Sequence, residues 1–209
     1  MDVRAFSLAE LIIGLLVLSI VGGAVAAVAA AVSRGWQAGE ATTTANLTVA
    51  RTMLRIQDRM QLVKLIGQWR AGSVSSPGSV PGAAILFWRD DDNGDSLMQL
   101  DETQLMEYDP ATKNLLVWEP EFPDPATRAW FNGPFPTSML TGSTAISDYK
   151  QLAYKRTFPI ARDVLGMSFN VITPATASQR LTVEFQLKFK GPMGESVEYG
   201  TAAARAASA

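Results

Sequence analysis

LIIGLLVLSIVGGAVAAVAAAV, residues 11 to 32, is a run of 22 residues without a charge. As a helix rising about 1.5 Å per residue it extends roughly 33 Å, close to the hydrocarbon thickness of a bilayer. The run is long enough to span. Its second half is mostly Ala and Gly, so two other readings stand beside a membrane anchor. A cleaved secretory signal peptide would be cut after a small-x-small site such as Ala24-Val25-Ala26. A buried helix of a globular domain is the third, and the length of the run speaks against it.

The residues before the run separate these readings. Glu10 abuts the apolar segment, whereas the leading region of a signal peptide is positive. A carboxylate carried into lipid costs a few kcal/mol or more, so something must compensate it. Arg4-Ala5-Phe6-Ser7-Leu8-Ala9-Glu10-Leu11 resembles the cleavage and methylation motif of type IV pilins and type II secretion pseudopilins. The resemblance implies that a prepilin peptidase cuts between Ala5 and Phe6 and that the new amine on Phe6 is methylated. It also makes Glu10 the fifth residue of the mature chain, the one that assists assembly. Ala5 stands where the family usually has Gly, another small residue.

The chemistry of such an acid suits assembly by helices. A free α-amine is largely protonated near neutral pH, and methylation keeps its charge. Within a bundle, the Phe6 amine of one subunit can neutralise Glu10 of another at low dielectric. Each charge is costly alone, so the pair sets axial register more than it adds net stability. The other reading places Glu10 at the headgroup level with no partner. Charge does not fix orientation, because Arg4 is offset by Asp2 while Arg34 and Arg51 follow the span.

Composition excludes several function classes. Eighteen Lys and Arg face 20 Asp and Glu, a formal charge of −2, so there is no basic excess for a nucleic-acid backbone and no nucleic-acid partner is expected. The absence of His and Cys removes imidazole bases, thiolate nucleophiles, Cys/His zinc sites and disulfides. No G-x-S-x-G, Walker A loop or G-x-G-x-x-G occurs. Carboxylate pairs of the glycosidase kind remain open, since their spacing is a property of the fold. The sequon Asn46-Leu47-Thr48 lies on an expected helix.

After the span, Val49, Met53, Ile56, Met60 and Val63 recur at spacings of four and three, one apolar helix face. No Pro precedes Pro77, so a single helix from about Phe6 to Gly67 is expected. Its stripe either forms a coiled-coil seam or, the favoured reading, packs on a sheet of the same chain. Strands are expected near 83–89, 104–108, 114–119, 165–172, 180–190 and 195–200, the fifth alternating in Leu181, Val183, Phe185, Leu187 and Phe189. Asp109 to Asn114 and Gly191-Pro192-Met193-Gly194 read as hairpin turns. Five prolines within 120–136 predict an irregular excursion, whose Trp130, Phe131 and Phe135 form a satellite cluster or, less expected, a partner patch. The tail 201–209 is small-residue and expected to fray.

Asp91, Asn93, Asp95 and Glu102 occupy positions 1, 3, 5 and 12 of an EF-hand-like calcium window, with Leu97 offering a carbonyl at position 7 and Gln99 at position 9. Ser96 replaces the usual turn Gly. A solvated turn uses the same residue types. If calcium binds, its role is structural, and no other cofactor is expected.

The expected fold is α+β and pilin-like: a long N-terminal helix, membrane-spanning in its first half, packed on an antiparallel sheet. Residues 1–5 are the leader, 6–35 the transmembrane helix and 36–209 an extracytoplasmic domain. The resemblance implies a minor pilin or pseudopilin rather than an enzyme, anchored once in the inner membrane and then filament-associated. It further implies as partners the prepilin peptidase, other pilin-like subunits, an inner-membrane assembly platform and membrane lipid. The alternative is a signal-anchored or secreted binding domain, or a carboxylate-based hydrolase, with no filament role.

Overall fold

The computed structural model describes residues 8–74, 82–89, 94, 97–131, 138–172, 181–191 and 194–204. Its elements in chain order are α1 (Leu8–Gln61), β1 (Leu65–Arg70), β2 (Gly72–Ser73), β3 (Ala84–Trp88), a 3-10 turn (Leu100–Glu102), β4 (Thr103–Asp109) and β5 (Asn114–Pro120). Then follow α2 (Pro125–Phe131), α3 (Ser138–Thr141), α4 (Ala145–Lys150), β6 (Lys155–Ala161), β7 (Val164–Ile172), β8 (Leu181–Gly191) and β9 (Gly194–Ala204). The chain divides into two compact units, Met1–Ala45 and Asn46–Ala209. The fold is α+β, with a long N-terminal helix and antiparallel strands.

Within the second unit the helix stripe is buried as its spacing requires. Ile56, Met60 and Val63 are sealed, Val49 is nearly so, and Met53 packs against the same cluster. Arg51, Arg55 and Asp58 face solvent. Arg55 nevertheless ties this segment to β6, its Nη1 donating to the Ile160 carbonyl at 3.0 Å. The helix stops at Gln61, earlier than Gly67. Leu65–Arg70 instead pairs with β3, Leu65 opposite Trp88 and Arg70 opposite Ala84. Gly67 falls where the register slips, and a Cβ there would lie 2.3 Å from the Leu140 carbonyl oxygen. Close approach of α3 thus requires a residue without a side chain.

The strands form two sheets rather than one. The five-stranded sheet has the order β1-β3-β4-β5-β6 and the four-stranded sheet the order β2-β7-β8-β9. All six expected strands are present within a few residues. The principal core joins α1, one face of the first sheet (Ile85, Phe87, Met106, Val117) and one face of the second (Met167, Phe169, Val183, Phe185). The opposite face of the first sheet is covered by α3 and α4 through Leu140, Ala145, Ile146 and Tyr149. Hence all five residues of β3 are buried, as a continuous apolar strand covered on both faces should be.

Both turns are hairpins. Asp109 Oδ1 accepts the Ala111 N–H at 3.0 Å and Oδ2 the Thr112 hydroxyl at 2.7 Å. Those bonds, the Thr112 hydroxyl first, hold the Asp109 carboxyl below its ordinary range. Gly191 stands opposite Gly194 across the second hairpin.

Two further expectations need correction. The 120–136 excursion contains a helical turn, α2, started by Asp124, whose carboxylate accepts the Thr127 N–H and hydroxyl, both at 2.8 Å. Pro125 occupies the first helical position, where a missing N–H is harmless. The tail is paired through Ala204, which lies opposite Leu181.

Gly200 stands opposite Phe185, and a Cβ there would meet the ring at 2.1 Å with Met53 Sδ at 3.0 Å. Overpacking of this kind costs about 1–3 kcal/mol. Gly200→Ala is therefore expected to lower the thermal midpoint of the head domain, read by circular dichroism, and an unchanged midpoint would show that the Phe185 ring moves freely.

Candidate functional site

The first unit is an apolar rod. Across Leu11–Val32 the helix is regular, and its Leu, Ile and Val side chains stand about half exposed or more, from 47% at Val32 to 70% at Leu18. The exposure runs all round the helix, the pattern of a buried or membrane helix and not of an amphipathic one. Ser19 and Thr42 bond back to the helix: Ser19 Oγ donates to the Leu16 carbonyl at 2.9 Å and Thr42 Oγ1 to that of Ala38 at 2.8 Å. Burying one Leu or Ile fully is worth about 1.5–3 kcal/mol, so a rod of this composition has a large affinity for any apolar environment. The helix is long and apolar enough to cross a membrane.

Of the residues assigned to processing and assembly, Ala5 and Phe6 lie outside the described residues. Glu10 has its backbone in the opening turns of α1, and its side chain lies outside the described groups.

The acidic loop is partly described. Asp91, Asn93 and Asp95 fall outside the described residues. Gly94 adopts a left-handed φ of 71°, with open space around its α-carbon. Leu97 is half exposed and Met98 is buried. Gln99 and Glu102 bracket the 3-10 turn in a reciprocal capping arrangement. Glu102 is turned inward: its Oε2 accepts the Trp88 indole N–H and the Gln99 backbone N–H, each at 3.0 Å. The carboxylate at the twelfth position thus already fixes the turn to β3.

Its neighbour Asp101 was not singled out by the spacing. Asp101 Oδ2 pairs with Arg128 of α2 at 2.5 Å, while its Oδ1 is buried with no hydrogen-bond partner among the described residues. Among the described residues no group of three or more acidic side chains is close enough to hold a metal.

Several further charges are tied into the sheet. Arg59 on α1 donates to Gln104 Oε1 at 2.7 Å, Gln104 donates to Glu119 Oε2 at 3.0 Å, and Arg156 pairs with the other Glu119 oxygen. Both guanidinium groups lie over the Phe158 ring, 5.3 and 5.4 Å from its centre. Burial pushes the Arg59 guanidinium below its ordinary value, opposed by Glu119. Tyr149 donates its hydroxyl to the Thr103 carbonyl at 2.8 Å, and burial raises it far above the ordinary phenol. These bonds hold helix and strands together. They do not assemble a nucleophile with a base among the described residues.

Taken together, a long apolar N-terminal helix followed by an antiparallel sheet domain is a pilin-like architecture. No protein-family model, curated protein or solved structure matches the chain.

Proposed function

We propose that this chain is a structural subunit of a type IV pilus-like or type II secretion filament, a minor pilin or pseudopilin and not an enzyme. The observation that carries the reading is the exposed, charge-free helix over Leu11–Val32 joined to a β-rich head, with Arg4–Leu11 supplying a prepilin-type motif at its start. Such a rod has two apolar environments open to it, lipid before assembly and neighbouring rods after it. A prepilin peptidase cuts between Ala5 and Phe6, the Phe6 amine is methylated, and Glu10 pairs with that amine in a neighbouring subunit. The chain is anchored in the inner membrane with residues 36–209 outside the cytoplasm. Other pilin-like subunits and an inner-membrane platform are its partners.

N-terminal sequencing and intact mass of the chain from its native membrane test this directly. A first residue of methylated Phe6 is expected. An intact Met1, or a start near Ala27, overturns it. Glu10→Gln is expected to leave cleavage intact and to abolish filament incorporation, because the amine then has no anion to meet.

The acidic loop is proposed to hold a structural calcium ion through Asp91, Asn93, Asp95, the Leu97 carbonyl and Gln99, with Glu102 closing the site once its carboxylate leaves the Trp88 indole and the Gln99 N–H. Oxygens at alternate positions of a loop converge on one hard cation. Millimolar calcium is expected to raise the melting temperature of the full chain in detergent and to leave Asp91→Ala unmoved. An equal rise in that variant removes the site.

A further inference from the structure

A cleft of about 520 Å³ opens beside α4, on the face of the five-stranded sheet turned away from α1. That size lies within the range of small-molecule sites. Register builds it. Arg70 on β1, Ala84 on β3, Glu107 on β4 and Leu116 on β5 stand opposite one another in one row, and such a row shares a face. Two strand spacings, about 10 Å, separate β1 from β4. Because Ala84 between them carries only a methyl group, the Arg70 guanidinium crosses above it and Nη2 reaches Glu107 Oε1 at 3.2 Å.

Lys150 enters from α4, its Nζ 2.9 Å from Glu107 Oε2 and 3.1 Å from Oε1. Its position is fixed because both ends of this short helix are tied down. The Gln68 side chain accepts the Ile146 N–H at 2.7 Å, and Lys155 Nζ donates to the Leu152 carbonyl at 2.8 Å and to that of Lys150.

One nearly buried carboxylate therefore faces two cations, and the donors outnumber the acceptors. Both Glu107 oxygens are engaged. Asp109, at the edge of the cleft, has committed its two oxygens to its own turn. A guanidinium carries five N–H groups, and among the described residues the hydrogen bonds of Arg70 are those of Nε to the Gly82 carbonyl at 2.6 Å and of Nη2 to Glu107. Trp118, whose ring lies 5.3 Å from Lys150 Nζ, has an indole N–H without a partner among the described residues. The complement of such a site is rich in acceptors. Leu116, Pro110 and the Trp118 ring give the rest of the lining an apolar character, which calls for an organic body on the acceptor group. Glu107 and Asp109 balance Arg70 and Lys150, and Lys155, 5.8 Å from the Trp118 ring centre, leaves one cation over, so a singly charged head is accommodated.

We propose that this cleft binds a small organic carboxylate, its oxygens held by Arg70 and Lys150 and its apolar body lying along Leu116 and Pro110. The site is independent of the filament reading, because it is built wholly within the head.

The test is a titration of the full chain in zwitterionic detergent, labelled with ¹⁵N at its indoles, with sodium benzoate at constant ionic strength. The Trp118 resonance, assigned by its loss in Trp118→Phe, is expected to shift saturably. Lys150→Gln is expected to weaken binding about tenfold or more, the size of losing a hydrogen bond to a charged group, while Arg51→Gln on α1 leaves it unchanged. Should Lys150→Gln lose its cooperative melt, Arg70→Lys serves instead, since it keeps the charge and loses the fork. A shift that does not saturate, an undiminished response in the cleft variants, or an equal response to inorganic phosphate overturns the proposal.

Discussion

Twenty-two residues without a charge stand on a helix that the rest of the first unit leaves bare, and this unmet burial constrains everything else in the molecule. At about 25 cal/mol per Å² of apolar surface, the driving force to remove such a rod from water exceeds what any single contact in the head contributes. A helix satisfies its own backbone hydrogen bonds and so enters lipid without leaving polar groups unpaired. The same property lets it leave lipid for a bundle of like helices, where packing and a few polar contacts replace acyl chains. A carboxylate at the margin of such a rod enters an apolar environment only by taking up a proton or by meeting a cation.

The head solves a different problem with the continuing helix. From Val49 onward the apolar positions fall into one stripe, which closes one side of a core shared by two sheets. The strand at the heart of that arrangement, β3, is covered on both faces. Ala84 at its start is sealed, as is Ala83 just before it, and Ala84 leaves the passage through which Arg70 reaches Glu107. At β9 the bare α-carbon of Gly200 receives the Phe185 ring. Polar bridges then fix the outer elements, with Arg59, Gln104, Glu119 and Arg156 binding α1 to β4, β5 and β6.

Much of this was legible in the residues, and the divisions fall along physical lines. Periodicity revealed the stripe on α1 and the alternation of β8, because each element keeps one period over several turns or residues. The turn at Asp109 was legible because its side chain bonds its own backbone. The end of α1 was not. Val63, Leu65 and Ile66 fit either period, and only pairing with β3 draws them into a strand. Strand β6 was missed because Pro159 reads as a breaker, which an edge strand tolerates. The Asp124-Pro125-Ala126-Thr127 start of α2 carried a helix signal that the density of prolines obscured. At the acidic loop, spacing named Glu102 but could not show that its carboxylate turns toward Trp88. The cleft lay beyond sequence reasoning altogether, since Arg70, Glu107 and Lys150 meet only through strand register and the placement of α4.

The helix over residues 11–32 is long and apolar enough to cross a membrane, and it is expected to hold the full chain there. An alkaline wash of membranes from cells making the full chain, beside cells making residues 46–209 alone, puts this most directly. The full chain should stay in the membrane pellet while the shorter chain appears in the supernatant. Release of the full chain by the wash would show that residues 11–32 do not lie in the bilayer.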